Sequence, residues 1–395
     1  MKILTVFGTR PEAIKMAPVV KELGRFPDEI ESVVCATAQH REMLDQVLDI
    51  FDIQPDYDLD IMLPGQTLSQ LTANILTRLD HVIAQERPDW VLVQGDTTTV
   101  MVSSLVAYYH RVRVGHVEAG LRTDDKWQPY PEEINRRLTD VMADFCFAPT
   151  EKSRQNLLRE GVRDNTIVVT GNTVIDALLM TTRRLRREEG RSQQSLSDGR
   201  RLILVTAHRR ESFGRPLRGI CGALAEIAIR YPSEVQIVYP VHPNPNVLGP
   251  VHEMLDGIPN ITLTEPLGYY DFVHLMSKAY LVLTDSGGLQ EEAPSLGVPV
   301  LVLREVTERP EGVAAGTARV VGTSCERIVE ETAVLLDDDE AYERMARAVN
   351  PYGDGRASQR IVAALLGRPV EPFVGATQAV IAGPWQELWD ERGTE

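Results

Sequence analysis

The chain has 395 residues, 43% hydrophobic and 25% charged, an ordinary globular composition with enough length for two hydrophobic cores. Its formal net charge of −16 at pH 7 argues against nucleic acid or an anionic membrane as partner, since both call for basic surface, although solubility alone also accounts for such acidity. No apolar run approaches the ~20 residues needed to span a bilayer. The four cysteines (Cys35, Cys146, Cys221, Cys325) form no C-x-x-C pair, so neither a zinc site nor a disulfide framework is expected and the cytoplasm is the expected location.

The opening residues read as a first strand over 3–8 and not as a signal peptide, since no basic segment leads into a longer apolar one. Short β-rich runs recur at 32–38, 90–95, 112–118 and 167–171, separated by amphipathic stretches at 13–23, 41–51, 68–85 and 151–160. Strict alternation of strand and helix predicts an α/β fold with a parallel sheet and right-handed crossovers. The polar run RRLRREEGRSQQSLSDGR at 183–200 breaks the pattern and reads as a frayed helix end plus a linker, so a first domain spans 1–182. Strands at 202–206, 235–241, 261–264, 280–284, 298–303 and 318–321 then give a second domain over 201–350. Residues 351–395 complete the chain, and the two tryptophans past Gly367 are expected to dock the tail on the body. Two doubly wound, Rossmann-like domains in series place a ligand beyond the carboxyl ends of their strands, in the cleft between them.

Those strand ends carry the polar residues. The first strand runs into Gly8-Thr9-Arg10-Pro11-Glu12, with Lys15 one turn into the next helix. Neither this segment nor any other is a G-x-G-x-x-G or Walker motif. Arg10 and Lys15 suit an anion at a helix N-terminus and equally suit a pair of surface cations, so spacing leaves both readings open. The run from Thr284 to Gly288 is sharper: a strand enters a small-residue turn that opens a helix over 289–296. There Gly287 and Gly288 let the backbone approach a phosphate, and Ser286 adds a hydroxyl. Glu291 and Glu292 follow, and a carboxylate at that distance accepts from ribose hydroxyls in dinucleotide folds. For Glu291 the preferred reading is favourable charge in a first helical turn. His208, Arg209 and Arg210 close the first strand of the second domain and together suit a diphosphate.

Three carboxylates complete the set. Asp96 and Glu118 end adjacent strands and are expected on one rim, while Glu132 follows Pro131 at the start of the pattern EEINRRLTDVMA. Capping is the plain alternative for Asp96, and first-turn charge for Glu132. Acidic groups gathered beside a diphosphate repel it and one another, an arrangement that makes sense when protons are to be moved.

The segments GTRPEAIKMAPV (8–19), TAQHREMLDQ (37–46), QGDTTTV (94–100), GHVEAGLRT (115–123), PYPEEINRRL (129–138), AHRRESFG (207–214), TDSGGLQEEAPSLGVPVLVLREVTERPEGV (284–313) and NPYGDGRAS (350–358) resemble, in the same order, the non-hydrolysing UDP-N-acetylglucosamine 2-epimerases. The resemblance runs from Met1 to about Gly367. It implies a glycosyltransferase-B-like fold whose last helix crosses back onto the first domain. It further implies interconversion of UDP-N-acetylglucosamine and UDP-N-acetylmannosamine, no cofactor or metal, and a homodimer.

The C2 proton of that sugar is not adjacent to a carbonyl, so simple deprotonation is too costly. The family route instead expels UDP from C1 as a base removes the C2 proton, and adds UDP back to the 2-acetamidoglucal after reprotonation on the other face. By resemblance Asp96, Glu118 and Glu132 are the acid–base set. Arg10, Lys15 and His208 stabilise the departing diphosphate, with Arg210 near the sugar or phosphates. Ser286, Gly287 and Gly288 cradle phosphate, and Glu292 binds ribose. The chain departs from regulated bacterial members at Glu42 and Gly65, where they carry a glutamine and a basic residue that serve a second, activating UDP-N-acetylglucosamine. A carboxylate there repels a diphosphate, so weak or absent activation is expected. A hydrolysing epimerase, a glycosyltransferase and a non-enzymatic UDP-sugar sensor share the fold; the full acid–base set argues against the last two.

Overall fold

The computed structural model describes residues 1–37, 41–62, 65–189 and 199–375. Helix and strand alternate from the start: β1 (Lys2–Phe7), α1 (Arg10–Leu23), β2 (Glu31–Ala36), α2 (Arg41–Ile50), β3 (Tyr57–Asp58), α3 (Leu68–Glu86), β4 (Trp90–Gln94) and α4 (Thr98–Tyr109). Then come β5 (Arg113–Val117), α5 (Glu132–Met142), β6 (Phe145–Ala148), α6 (Glu151–Arg159), β7 (Ile167–Val169) and α7 (Thr173–Glu189). The second series is β8 (Arg201–Thr206), α8 (Arg215–Arg230), β9 (Val235–Pro240), α9 (Pro245–Leu255), β10 (Ile261–Thr264), α10 (Tyr269–Ser277), β11 (Leu281–Thr284) and α11 (Gly287–Glu292). It ends with β12 (Val300–Val302), α12 (Pro310–Ala315), β13 (Ala318–Val320), α13 (Cys325–Asp337), α14 (Asp339–Ala346) and α15 (Ala357–Leu365).

All described pairings are parallel, in two sheets ordered β3-β2-β1-β4-β5-β6-β7 and β10-β9-β8-β11-β12-β13. In each sheet the winding reverses direction at one place, between β1 and β4 and between β8 and β11. Loops leaving such a pair of strands diverge to opposite faces and open a crevice. The residues after β1, β4, β8 and β11 are therefore the ones the topology presents to a ligand.

Local sequence explains the entry into the first crevice. Thr9 caps α1 and accepts from the Glu12 N–H at 3.4 Å, while the Glu12 carboxylate accepts from the N–H groups of Gly8 (2.6 Å) and Thr9 (2.8 Å). This reciprocal box, with Pro11 in the first turn, starts a helix directly after a strand. Two strands, β3 and β6, were not expected from sequence. The first has two residues, and the second is the short run FCFA, whose Phe145 stacks on Trp90 at 5.4 Å.

α7 continues to Glu189, into the stretch read as linker, and packs on α1 and α15 of one layer and on α10 and α11 of the other. Its Asp176 accepts from the N–H groups of Ala357 (3.1 Å) and Ser358 (2.8 Å), capping the start of α15 from across the chain. α15 in turn lies on α1 and buries Ile361, Val362 and Leu365 in the core shared with Ala17 and Leu23. The tail's tryptophans lie outside the described residues. Among the described residues no helix is long and apolar enough to cross a membrane.

Candidate active site

Because β4 and β5 pair in register, with Gln94 opposite Val117, Asp96 and Glu118 emerge side by side. Gly95 takes φ +85° and Glu118 takes φ +66°. The left-handed region costs nothing for glycine but is strained for glutamate, and such strain collects at functional positions. The strained backbone delivers a buried carboxylate. Lys15 Nζ donates to both of its oxygens at 2.6 Å, Asn172 Nδ2 donates to Oε1 at 3.1 Å, and the amide of Gln94 donates to Oε2. Burial pushes the Glu118 carboxyl up, but the charge and hydrogen bonds of Lys15 outweigh it and hold the group below the usual carboxylate range. Glu118 is thus kept ionised.

Asp96 behaves in the opposite way. Arg136 pairs with its Oδ2 at 2.6 Å and Asn135 Nδ2 donates to its carbonyl at 3.0 Å. Burial still pushes its carboxyl above the usual range, helped by the negative charges of Glu118 and Glu132 and opposed by Arg136. It does not cap α4, because the cap is Thr97. Glu132 opens α5 with one buried oxygen, Oε2, that has no hydrogen-bond partner among the described residues. Its neighbour Glu133 is fully committed, accepting from the N–H groups of Thr123 (3.2 Å) and Asp124 (3.3 Å) and from Arg137 (3.1 Å). Beneath the rim, His116 has Nε2 2.7 Å from the Gly95 carbonyl and Nδ1 2.6 Å from Asp140, which Arg122 also holds at 2.6 Å. That buried chain pins the turn from which Asp96 projects.

The second rim is built by β8 and β11, with Thr206 opposite Thr284. Asp285, fully buried, accepts through Oδ2 from the N–H groups of His208 (2.8 Å) and Arg209 (2.7 Å). Its other oxygen lies 3.7 Å from His208 Nδ1 and has no hydrogen-bond partner among the described residues. The His208 ring stacks on His242 at 5.4 Å. Burial pushes the His208 imidazole down, Asp285 opposes this, and His242 and Arg209 add to it, so the ring is neutral at neutral pH. Ser286 stands at the N-cap of α11 with its hydroxyl uncommitted to capping. Gly288 is exposed there, and a Cβ on it would come within 3.3 Å of the Glu292 carboxylate.

Between the rims lies a buried polar bridge. Asn172 Nδ2 also donates to Glu291 Oε2 at 2.7 Å, and Arg309 donates through Nε to the other Glu291 oxygen. Glu291 is therefore no first-turn charge. It is the fifth residue of α11, buried and paired with an arginine from a later loop, a partnership that local spacing does not display. Glu292 is pushed up to about 8 by burial and by Glu291. Arg10 is half-buried with no carboxylate within ion-pair distance among the described residues, and burial pushes its guanidinium down.

The sequence-derived residues thus separate into groups. Lys15, Asp96, Glu118 and Glu132 meet on the first rim, and His208, Ser286, Gly287 and Gly288 line the second. Of the groups read as diphosphate ligands, Lys15 is bound here to Glu118. Arg210 is exposed in a single 3-10 turn. Sequence reasoning singled out none of Asn172, Arg309 and Arg136, although segments 129–138 and 284–313 contain Arg136 and Arg309; for Asn172 the local hint was a polar Asn-Thr pair just beyond β7. The side chain of Glu42 lies outside the described part, and Gly65 sits at φ +69° ahead of α3.

A family profile described as UDP-N-acetylglucosamine 2-epimerase matches residues 21–366. The UDP-N-acetylglucosamine 2-epimerase of Yersinia pestis is 59% identical over 376 residues, which cover 94% of this chain and 100% of the relative. The crystal structure of UDP-GlcNAc 2-epimerase from Neisseria meningitidis bound to UDP-GlcNAc superposes with a TM-score of 0.84 at 51% identity, covering 93% of this chain and 100% of that one. That of the Methanocaldococcus jannaschii enzyme in complex with UDP-GlcNAc and UDP gives 0.74 at 35% identity, covering 93% and 100%.

Proposed function

The chain belongs to the UDP-N-acetylglucosamine 2-epimerase family, with its glycosyltransferase-B-like fold, and from that premise we propose that it inverts C2 by the non-hydrolysing route. One observation supports this reading above the others: two carboxylates on adjacent strand ends are pushed in opposite directions, Glu118 below the usual range and Asp96 above it. Opposite shifts of this kind tune one carboxylate toward base and its neighbour toward acid.

In the proposed reaction an ionised carboxylate, Glu118 in our reading, takes the C2 proton as the C1–O bond to UDP breaks. The C–H electron pair becomes the C1=C2 double bond of 2-acetamidoglucal, and UDP leaves with the pair of the broken bond. Asp96, with Glu132 beside it, returns a proton to C2 from the opposite face, and the UDP oxygen re-forms the bond to C1. Arg10, Lys15 and His208 stabilise the leaving diphosphate, and Arg210 stands at the edge of that site. Ser286, Gly287 and Gly288 hold phosphate, and Glu292 meets the ribose hydroxyls.

Two further readings go with it. The four cysteines are all free thiols, which suits a reducing compartment, so we place the reaction in the cytoplasm. We also assign a homodimer contact to the outer face of α4 and α5. There Ile134, Leu138 and Val141 stand exposed at helical spacing, beside exposed Tyr108 and Tyr109.

The deciding experiment incubates the protein with UDP-N-acetylglucosamine in D2O without nicotinamide and follows the sugar by proton NMR. Deuterium at C2 together with UDP-N-acetylmannosamine is the expected result. Free N-acetylmannosamine plus UDP identifies a hydrolysing enzyme and overturns the proposed route, as does the absence of exchange.

A further inference from the structure

Asn172 is 3% exposed and sits where β7 turns into α7. Its Oδ1 accepts the Val174 N–H at 3.0 Å, and that bond fixes which way the amide faces. The NH2 group is consequently the end turned toward Glu118 (3.1 Å) and Glu291 (2.7 Å), one carboxylate from each sheet's rim. The backbone N–H of Asn172 is also engaged, donating to the Tyr352 carbonyl at 2.7 Å. Tyr352 in turn accepts the Gly312 N–H through its hydroxyl at 2.8 Å, and Asn350 donates to the Glu291 carbonyl at 2.7 Å. A single residue therefore touches the proposed base, the Glu291–Arg309 pair of the second sheet, and the segment that returns the chain to α15.

The residue type is demanding. Two buried carboxylates need a donor between them, and one neutral group that gives a hydrogen to each is an amide. A carboxylate of the same shape would turn both bonds into repulsion, whereas a lysine or arginine would add a third cation to Lys15 and Arg309. We propose that Asn172 is a positioning residue that ties the orientation of Glu118 to the seating of the second sheet's Glu291–Arg309 pair. This rests on the reading of Glu118 as the base. When the rims are together the amide holds both carboxylates, and when they part it loses Glu291, so Glu118 is fully held only in the assembled cleft.

Asn172→Asp tests it, because the substitution keeps an oxygen for the Val174 N–H, removes the donors and adds a negative charge in their place. The groups facing Glu118 are Lys15 from α1, Asp96 beyond β4, Arg309 before α12 and, across the amide, Glu291. An anion at 172 adds to the negative side, so the acidic limb of kcat/KM for C2 deuterium exchange moves to higher pH. We expect kcat to fall about 100-fold with UDP affinity, titrated directly, kept within a few-fold. Asn172→Ser, neutral with one donor, loses less and moves the limb less; it serves the same purpose should the aspartate variant not fold. A limb that stays in place, or a loss shared equally by kcat and UDP affinity, overturns the proposal. Glu118→Gln runs alongside: if it retains exchange, the base assignment fails. If it is inactive while Asn172→Asp behaves as the parent, only the positioning role fails.

Discussion

The ammonium of Lys15 lies 2.6 Å from each carboxylate oxygen of Glu118, joining the helix after β1 to the residue after β5. Two tasks meet in that cation. It keeps a buried carboxylate ionised, and it stands where the departing diphosphate is proposed to develop charge. In the proposed reaction, charge building on UDP would draw Lys15 toward it and leave Glu118 a better proton acceptor.

Lys15→Met separates the two tasks from size. Burial already pushes the Glu118 carboxyl up, and the charge and hydrogen bonds of Lys15 are the largest of the effects that hold it down, ahead of Arg309 and Asn172. Without Lys15 the folded-state value rises, so the base loses activity on the acidic side at a higher pH than in the parent. The expected result is a kcat lower by about 10²–10³-fold, the range seen when one transition-state donor is removed, with the acidic limb shifted upward. Stopped exchange assays across pH measure both, and an unshifted limb contradicts the pairing.

Asp285→Asn addresses the second rim. Oδ2 of Asp285 receives two backbone N–H groups that the asparagine oxygen also satisfies. The other oxygen, turned toward His208 Nδ1, becomes an N–H group and reverses the favoured tautomer of that ring. A reversal of this kind costs about 10⁴-fold in a serine protease; here Oδ1 and Nδ1 stand 3.7 Å apart without a hydrogen bond, and a smaller loss of about 10²-fold is expected. Nitrogen-15 NMR of the imidazole should show the proton moving from Nδ1 to Nε2.

Glu292→Gln concerns stability. Its carboxyl is pushed up to about 8 in the folded chain, above the ~4.3 of an unfolded glutamate. The folded state binds that proton more tightly, so folding loses stability as pH climbs from about 4.3 toward 8 and is level beyond. The glutamine variant has no such penalty. Its melting temperature should match the parent near pH 5 and exceed it by a few degrees above pH 8. Parallel melting curves would sink this assignment.

Added UDP-N-acetylglucosamine should leave the initial rate on UDP-N-acetylmannosamine nearly unchanged. The family resemblance implies that Glu42 and Gly65 replace a glutamine and a basic residue that serve the activator in regulated members. A marked rate increase contradicts this reading.

On the outer face, Val141 is 82% exposed one turn beyond Leu138. A Leu138→Glu, Val141→Glu pair should convert a dimer to a monomer by light scattering, and slow turnover with it, because Glu132 heads the same helix. An unchanged mass places the contact elsewhere.

Much of this site was legible because its residues end strands. Asp96, Glu118, His208 and Ser286 each follow an apolar run, and parallel neighbours bring them to a rim without further information. The start of α1 also has a local signal, the Thr9–Glu12 box within four residues, which the reading of the amphipathic stretch at 13–23 passed over. What sequence hid is pairing at long range. Glu291 with Arg309, Asn172 with both rims, and Asp96 with Arg136 are contacts made only after the sheets assemble, and a glutamate two residues past Leu289 gives no local sign of them. β6 escaped for another reason: four residues show no clear period.

The cap that Asp176 places on α15 has a consequence for how the protein is made. The strands of the first sheet have all left the ribosome once Val169 has emerged, yet the apolar faces of α1 and α7 wait for Ile361, Val362 and Leu365. The whole second sheet is translated in that interval. Until then the part of α1 and α7 that α15 covers is without that cover, an apolar surface of the kind chaperones hold.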